Sequence, residues 1–266
     1  MQPDPRLHLA KKTSAGGSGL AISAGRAAQL NARYAHAGAA EVLDAAFREV
    51  PNIALVSSFG ADSVVLLQLA AKVKPDVPVL FVDTEMLFDE TLEHQKRVAE
   101  LLGLTNLHVI RAEDSKILDP NGTLHKTDTN ACCTLRKTAP LQKALTQYGG
   151  WITGRKRHQS GTRQRLNMFE VETETNRLKV NPLALWSAQD TIRYMKATQL
   201  PRHPLVAKGY PSIGCAPCTT PVAEGEDPRA GRWRETEKEE CGIHFVDGKM
   251  VRTPAVDNVP HSGDIQ

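Results

Sequence analysis

Five cysteines carry the most reactive chemistry in this 266-residue sequence. Cys132 and Cys133 are adjacent in Ala131-Cys-Cys-Thr-Leu-Arg-Lys137, and Cys215 and Cys218 form a Cys-x-x-Cys in Gly214-Cys-Ala-Pro-Cys218. Together they offer four soft ligands, enough for one [4Fe–4S] cluster or one tetrahedral zinc. Neighbouring side chains diverge and strain a single small ion, whereas a cluster spaces its iron corners more widely, so the cluster ranks ahead of zinc. A redox disulfide at the Cys-x-x-Cys is a further rival. The fifth cysteine, Cys241, is left over in Glu239-Glu-Cys-Gly-Ile-His244. A lone thiol with a histidine three residues on is a candidate nucleophile, and on spacing alone it reads equally as an incidental surface cysteine. Glu239 and Glu240 would raise its pKa; Arg229 and Arg232 upstream offset that if they fold over the same site.

Three polar segments could bind an anionic ligand. Ser57-Ser-Phe-Gly-Ala-Asp-Ser63 follows an apolar run and opens a helical one, where backbone N–H groups and the helix dipole favour phosphate. It lacks the Gly-Lys-Ser/Thr ending of a Walker loop and lacks G-x-G-x-x-G, and it reads equally as a turn capped by Ser57, Ser58 or Asp62. Val82-Asp-Thr-Glu85 could touch an adenosine, although on its own a helix cap is the better reading. Gly154-Arg-Lys-Arg-His-Gln-Ser-Gly-Thr-Arg163, continuing to Arg165, gathers Arg155, Lys156, Arg157, His158, Arg163 and Arg165. Such runs are usually solvated faces. Aromatic residues are 5% of the chain and none interleave here, which argues against a nucleic-acid patch. Its place after a strand favours a small polyanion.

The elements that must position these segments follow from hydrophobic spacing. Arg26 to Val50 reads as one or two helices. Short apolar runs at 53–58, 79–83, 106–111 and 151–154 read as strands, alternating with helices over 64–70, 91–102 and 134–148. Strands apolar along their length, alternating with helices, predict an α/β fold with a parallel sheet covered by helices on both faces. In such sheets ligands sit at the C-terminal strand ends, where all three polar segments fall. After about residue 180 prolines break the chain into short pieces, with one helix over 187–198; 219–240 reads as mobile or loosely packed. Lysine and arginine exceed aspartate and glutamate by only three, too balanced for bulk attraction to nucleic acid. No long apolar run and no signal sequence is evident, so a cytoplasmic protein is expected.

Taken together, these motifs resemble the assimilatory adenylyl-sulfate and phosphoadenylyl-sulfate reductases, a branch of the adenine nucleotide α-hydrolase-like fold. The resemblance runs over the Ser57–Ser63 loop, Val82-Asp-Thr, Gly154–Ser160, Lys179-Val-Asn-Pro-Leu183, Gly209–Thr219, Arg229-Ala-Gly-Arg-Trp233 and Glu240-Cys-Gly-Ile-His244. It implies that Cys132, Cys133, Cys215 and Cys218 hold a [4Fe–4S] cluster, that Cys241 is the nucleophile, and that Lys137, Arg229, Arg232 and His244 surround a phosphosulfate. Ser57, Ser58, Phe59, Gly60, Ser63, Asp83, Thr84, Arg157 and Arg163 are then expected to bind substrate. The cluster-bearing branch mostly uses adenosine 5′-phosphosulfate, with thioredoxin or a glutaredoxin-like protein as thiol donor, in sulfate assimilation toward cysteine. The 3′-phosphorylated substrate and an ATP-dependent tRNA thiolation enzyme of the same fold are the rivals. A homo-oligomer is compatible with the sequence. Two departures stand out: Glu85 occupies a position that is glycine in many relatives, and Lys156 one that is often arginine. The expected layout is a flexible leader over 1–25, a sulfonucleotide and cluster domain over 26–222, and a mobile C-terminal segment over 223–266.

Overall fold

The computed structural model describes residues 24–172, 174–234 and 238. Most of the expected leader lies outside these residues, as do Cys241 and His244. The chain enters on two amphipathic helices, α1 (Ala24–Arg33) and α2 (Ala39–Glu49). Strand β1 (Ile53–Ser57) feeds helix α3 (Ser63–Val73), whose apolar residues are almost all buried. β2 (Val79–Val82), α4 (Asp89–Leu102) and β3 (Leu107–Ile110) follow. Two single turns, α5 (Ser115–Leu118) and α6 (Leu124–Thr127), lead into the cysteine helix α7 (Thr129–Cys133). After α8 (Ala139–Leu145) come β4 (Gly150–Ile152), β5 (Phe169–Val171), β6 (Leu178–Val180) and α9 (Ala188–Ala197).

The strands form one sheet in the order β3-β2-β1-β4-β6-β5. β1 pairs in parallel with both β2 and β4, so strand order reverses between β1 and β4. At such a switch point the two following loops part and leave a crevice at the C-terminal strand ends. Alternation along the strands divides the core. Val79 and Phe81 face a large cluster with α2, α3 and α4, while Ala54, Leu80, Val82 and Trp151 pack with Leu141 and Leu145 of α8.

Three features depart from the sequence reading. The sheet is not wholly parallel: β5 runs antiparallel to β6 at one edge, with Glu170 opposite Lys179. These three-residue strands carry a half-buried Glu170 and a buried Lys179, which interrupt the apolar pattern that marks the others. The helix read over 134–148 is not uniform: Thr134–Thr138 is a π-helical turn between α7 and α8, closed by Ala139 N–H to the Thr134 carbonyl. The segment after Thr219 is not loosely packed as far as Arg234. Thr220 N–H reaches the Gly231 carbonyl (2.8 Å), Val222 N–H reaches Gly209 (2.9 Å), and Trp233 is 5% exposed. A side chain at Gly231 would meet the Thr220 carbonyl oxygen at 2.1 Å, so this close return of the chain requires glycine.

Candidate active site

A cavity of about 230 Å³ opens at the switch point between the ends of β1 and β4. Its first wall is the β1–α3 loop. Ser57, Ser58, Gly60, Asp62 and Ser63 line it. Phe59 does not: its backbone is left-handed (φ 48°) and its ring is buried edge-on against Phe81, 5.3 Å between centroids. A non-glycine residue held at positive φ costs about 1 kcal/mol, offset here by burial of the ring. Phe59 therefore anchors the loop that its neighbours present to the cavity.

The second wall follows β4. Arg155, Lys156 and Arg163 line the cavity and are all buried. Each is tied in place: Arg155 to Glu170 (2.5 Å) and Asn181 (3.1 Å), Lys156 to Asp62 (3.4 Å), Arg163 to Gln159 (2.5 Å). Burial holds Lys156 below its ordinary pKa, with Asp62 opposing. Arg157, His158 and Arg165 from the same basic run are exposed, and Arg157 donates to the Leu166 carbonyl (2.8 Å). The run is thus half cavity wall and half solvated face.

Lys137, Arg229 and Arg232 complete a lining with six cations and one carboxylate among the described residues. That balance suits a multiply charged anion. Thr91 also faces the cavity and bonds His203 Nε2 (3.0 Å). His203 Nδ1 accepts from Leu205 N–H (3.2 Å), which assigns the ring proton to Nε2 and makes Thr91 the acceptor. Burial, with help from neighbouring His94, pushes His203 down to about 4, so it is neutral at ordinary pH.

Adjoining this cavity is a small one, about 20 Å³, lined by Cys132, Cys133, Cys215 and Cys218. All four are free thiols. Asp128 caps α7 by accepting from Asn130 N–H and Ala131 N–H and so fixes the cysteine pair. The other pair is bridged to the end of β2: Ala216 N–H meets the Met86 carbonyl (2.8 Å), and Thr84 Oγ1 lies 3.2 Å from Cys215 Sγ. Burial, then the charges of Cys133, Cys215 and Cys218, push Cys132 up to about 11, with Arg136 opposing. Cys218 is raised by burial, Cys215 and Cys133, with Arg232 and Lys137 opposing. Four thiols gathered in one small cavity form a donor set that a metal-containing group would hold ionised. Among the described residues no three Cys, His, Asp or Glu side chains are grouped to hold one metal ion.

The two cavities share a partition. Lys137, Arg232 and Trp233 line both. The π-turn supplies Lys137 to this partition, while its neighbour Arg136 lines only the thiol cavity and is held in a buried ion pair with Asp119 (3.0 Å) and a longer one with Glu85 (3.4 Å). Such wide turns are frequent where a helix carries function.

Of the residues singled out from sequence, the described structure brings Ser57, Ser58, Gly60, Ser63, Arg163, Lys137, Arg229 and Arg232 to one cavity, and the four paired cysteines with Thr84 to the other. Phe59 and Arg157 point elsewhere. Asp83 is spent internally, accepting from Glu85 N–H (2.9 Å) and pairing with Arg111 (2.9 Å). Glu85 sits at φ 59°, which explains glycine as an alternative there. Its carboxylate turns to Ser115 (2.6 Å) and Arg136 and lines neither cavity. Trp151, Thr91 and Trp233 were not singled out; only the aromatic ending of Arg229-Ala-Gly-Arg-Trp233 signalled any of them.

A family model described as phosphoadenosine phosphosulfate reductase domain matches residues 52–221. An adenosine 5′-phosphosulfate reductase of Chelativorans sp. (strain BNC1) is 48% identical over 224 residues, 82% of this chain and 91% of that protein. Another so named, from Mesorhizobium japonicum, is 46% identical over 87% of this chain and 92% of its own length. Among solved structures, a phosphoadenylyl-sulfate (PAPS) reductase from Candida auris in complex with phosphate superposes with a TM-score of 0.66 at 27% identity, covering 75% of this chain and 98% of that one.

Proposed function

Because the chain belongs to the phosphoadenosine phosphosulfate reductase domain family, we propose that it is a thiol-dependent reductase converting adenosine 5′-phosphosulfate to sulfite and AMP. The observation that carries this reading is the cation-rich cavity at the switch point, walled off from a four-thiol cavity by Lys137, Arg232 and Trp233.

In this reading the Ser57–Ser63 loop and the β4 wall bind the nucleotide. The Cys241 thiolate attacks the sulfate sulfur. The bond from that sulfur to the bridging oxygen breaks, its electron pair goes to the phosphate, and AMP leaves. Cys241 then carries a thiosulfonate. All three reacting groups are anionic, so cations must offset the charge gathering on the phosphate. Lys137, Arg229, Arg232 and His244 are assigned this role. A thiolate of thioredoxin or glutaredoxin type attacks the Cys241 sulfur and expels sulfite with the electron pair, and a second donor thiol resolves the mixed disulfide. Cys132, Cys133, Cys215 and Cys218 would hold a [4Fe–4S] cluster. Held there, such a group would link the Cys132–Cys133 helix to the Cys215–Cys218 loop and would add charge near Lys137 and Arg232. In this reading the protein serves sulfate assimilation in the cytoplasm. No helix among the described residues is long and apolar enough to cross a membrane.

The test is turnover with a dithiol donor on three substrates in parallel: adenosine 5′-phosphosulfate, its 3′-phosphorylated form and ATP. Equal release of sulfite and AMP from the first, with far slower turnover of the second, is expected. Preference for the 3′-phosphorylated nucleotide would move the substrate assignment, and consumption of ATP alone would replace the reaction class.

A further inference from the structure

Arg232 is fixed in the partition between the cavities by neutral surfaces. Its guanidinium carbon lies 4.4 Å from the centre of the Trp233 ring. It also lies directly against the Cα of Gly214: a Cβ there would meet Nη2 at 2.2 Å and Cζ at 2.5 Å. No carboxylate pairs with Arg232 among the described residues, and its buried Nε has no hydrogen-bond partner among them. Trp233 is itself constrained. It is nearly buried, its N–H meets the Cys218 carbonyl (3.1 Å), and its backbone is left-handed at φ 50°. Residues held in that region persist only where the surroundings over-determine them, and they cluster at working sites.

The contrast with the β4 wall is chemical. Arg155 and Lys156 are held by carboxylates, which spend part of their charge. An arginine held between a bare backbone carbon and an aromatic face is equally fixed in place yet keeps its full charge and its donors. A cation fixed before the ligand arrives needs no reorganisation when negative charge develops beside it.

We propose that Gly214 and Trp233 are positioning residues that hold the Arg232 guanidinium, unneutralised, toward the anionic end of the substrate. The proposal rests on the reading that the larger cavity takes a sulfonucleotide.

The test is a double-mutant cycle on the cluster-loaded enzyme, with kcat and KM for adenosine 5′-phosphosulfate and for the thiol donor measured separately. Gly214→Ala adds one methyl group at the guanidinium and changes no charge. It is expected to lower kcat/KM for the nucleotide about tenfold to a hundredfold, in proportion to displacement of one charge-assisted contact, and to leave KM for the thiol donor unchanged. Trp233→Leu should fall in the same range, and Trp233→Phe, which restores an aromatic face, should recover to within about threefold of the parent. In an Arg232→Ala background, Gly214→Ala and Trp233→Leu should each cost less than about twofold more. Full, additive losses in that background would overturn the proposal, because the two residues would then act through the cysteine loop or the fold. So would a Gly214→Ala enzyme equal to the parent. If Gly214→Ala does not fold, as read from its melting temperature and iron content, the Leu and Phe variants at Trp233 decide through the same cycle. If the parent enzyme neither binds nor turns over the sulfonucleotide, it is the substrate reading that fails and not the clamp.

Discussion

The two walls of the larger cavity are built on different principles. The β1 and β4 wall grows from strand ends in the middle of the sheet, and its cations are buried and paired. The opposite wall, Lys137, Arg229, Arg232 and Trp233, comes from a π-turn and from a returning segment held by isolated backbone bridges. Two of its cations oppose the raised pKa of Cys218. A strand-end wall gives a fixed anion seat. A wall shared with the thiol cavity lets whatever those thiols hold act on the charge that faces the substrate. The first is suited to binding and the second to the chemical step.

The division breaks if variants on the two sides behave alike. The largest expected effect is at the partition: Lys137→Ala should lower kcat about a hundredfold to a thousandfold with little change in KM, as for loss of one preorganised electrostatic contact. Steady-state kinetics with saturating thiol donor would show it. Next is the acid sensitivity of the scaffold behind Thr91. The unfolded chain protonates His203 near pH 6.5, but the folded chain holds it neutral down to about 4. Between those values the unfolded state binds the extra proton, so stability rises with pH. Denaturant melts should show a loss of roughly 3 kcal/mol from pH 7 to pH 4 that His203→Gln diminishes. On the strand-end wall, Arg163→Ala should raise KM for the nucleotide about tenfold while kcat stays within about threefold. A fall in kcat equal to that of Lys137→Ala would erase the distinction.

The smallest effect sits beneath the thiol cavity. Glu85→Ala keeps the left-handed backbone but gives up the bonds to Ser115 and Arg136, and should cost about 1–2 kcal/mol in a thermal melt. Glu85→Gly loses the same bonds yet relieves about 1 kcal/mol of backbone cost, so it should melt closer to the parent.

What could be read from sequence divides along similar lines. β1, β2 and β4 announced themselves because they are buried along their length and end in polar loops, and strand-end logic then located the cavity. The paired cysteines were legible because four thiols in two pairs have few other uses. β5 and β6 were not, since the half-buried Glu170 and the buried Lys179 put charge into strands only three residues long, and pairing across the sheet rather than apolarity carries them. The π-turn leaves no periodicity to detect in five residues. Phe59 was grouped with the cavity residues because its neighbours line the cavity. Its positive φ turns the side chain into the core, and sequence spacing does not encode that turn. The packing of 219–234 depends on backbone bridges and the close approach at Gly231, in a composition that otherwise resembles a tail.

The most direct test of the account is the covalent state of the protein after one half-reaction. Anaerobically purified, reduced enzyme is mixed with adenosine 5′-phosphosulfate, no thiol donor is added, and the intact mass and peptide map are recorded. The account predicts one added SO₃ on the peptide containing Cys241, one AMP released per chain, and loss of the adduct when a thiol is supplied. Sulfite release without an adduct on Cys241, or an adduct on one of the four paired cysteines, would contradict it.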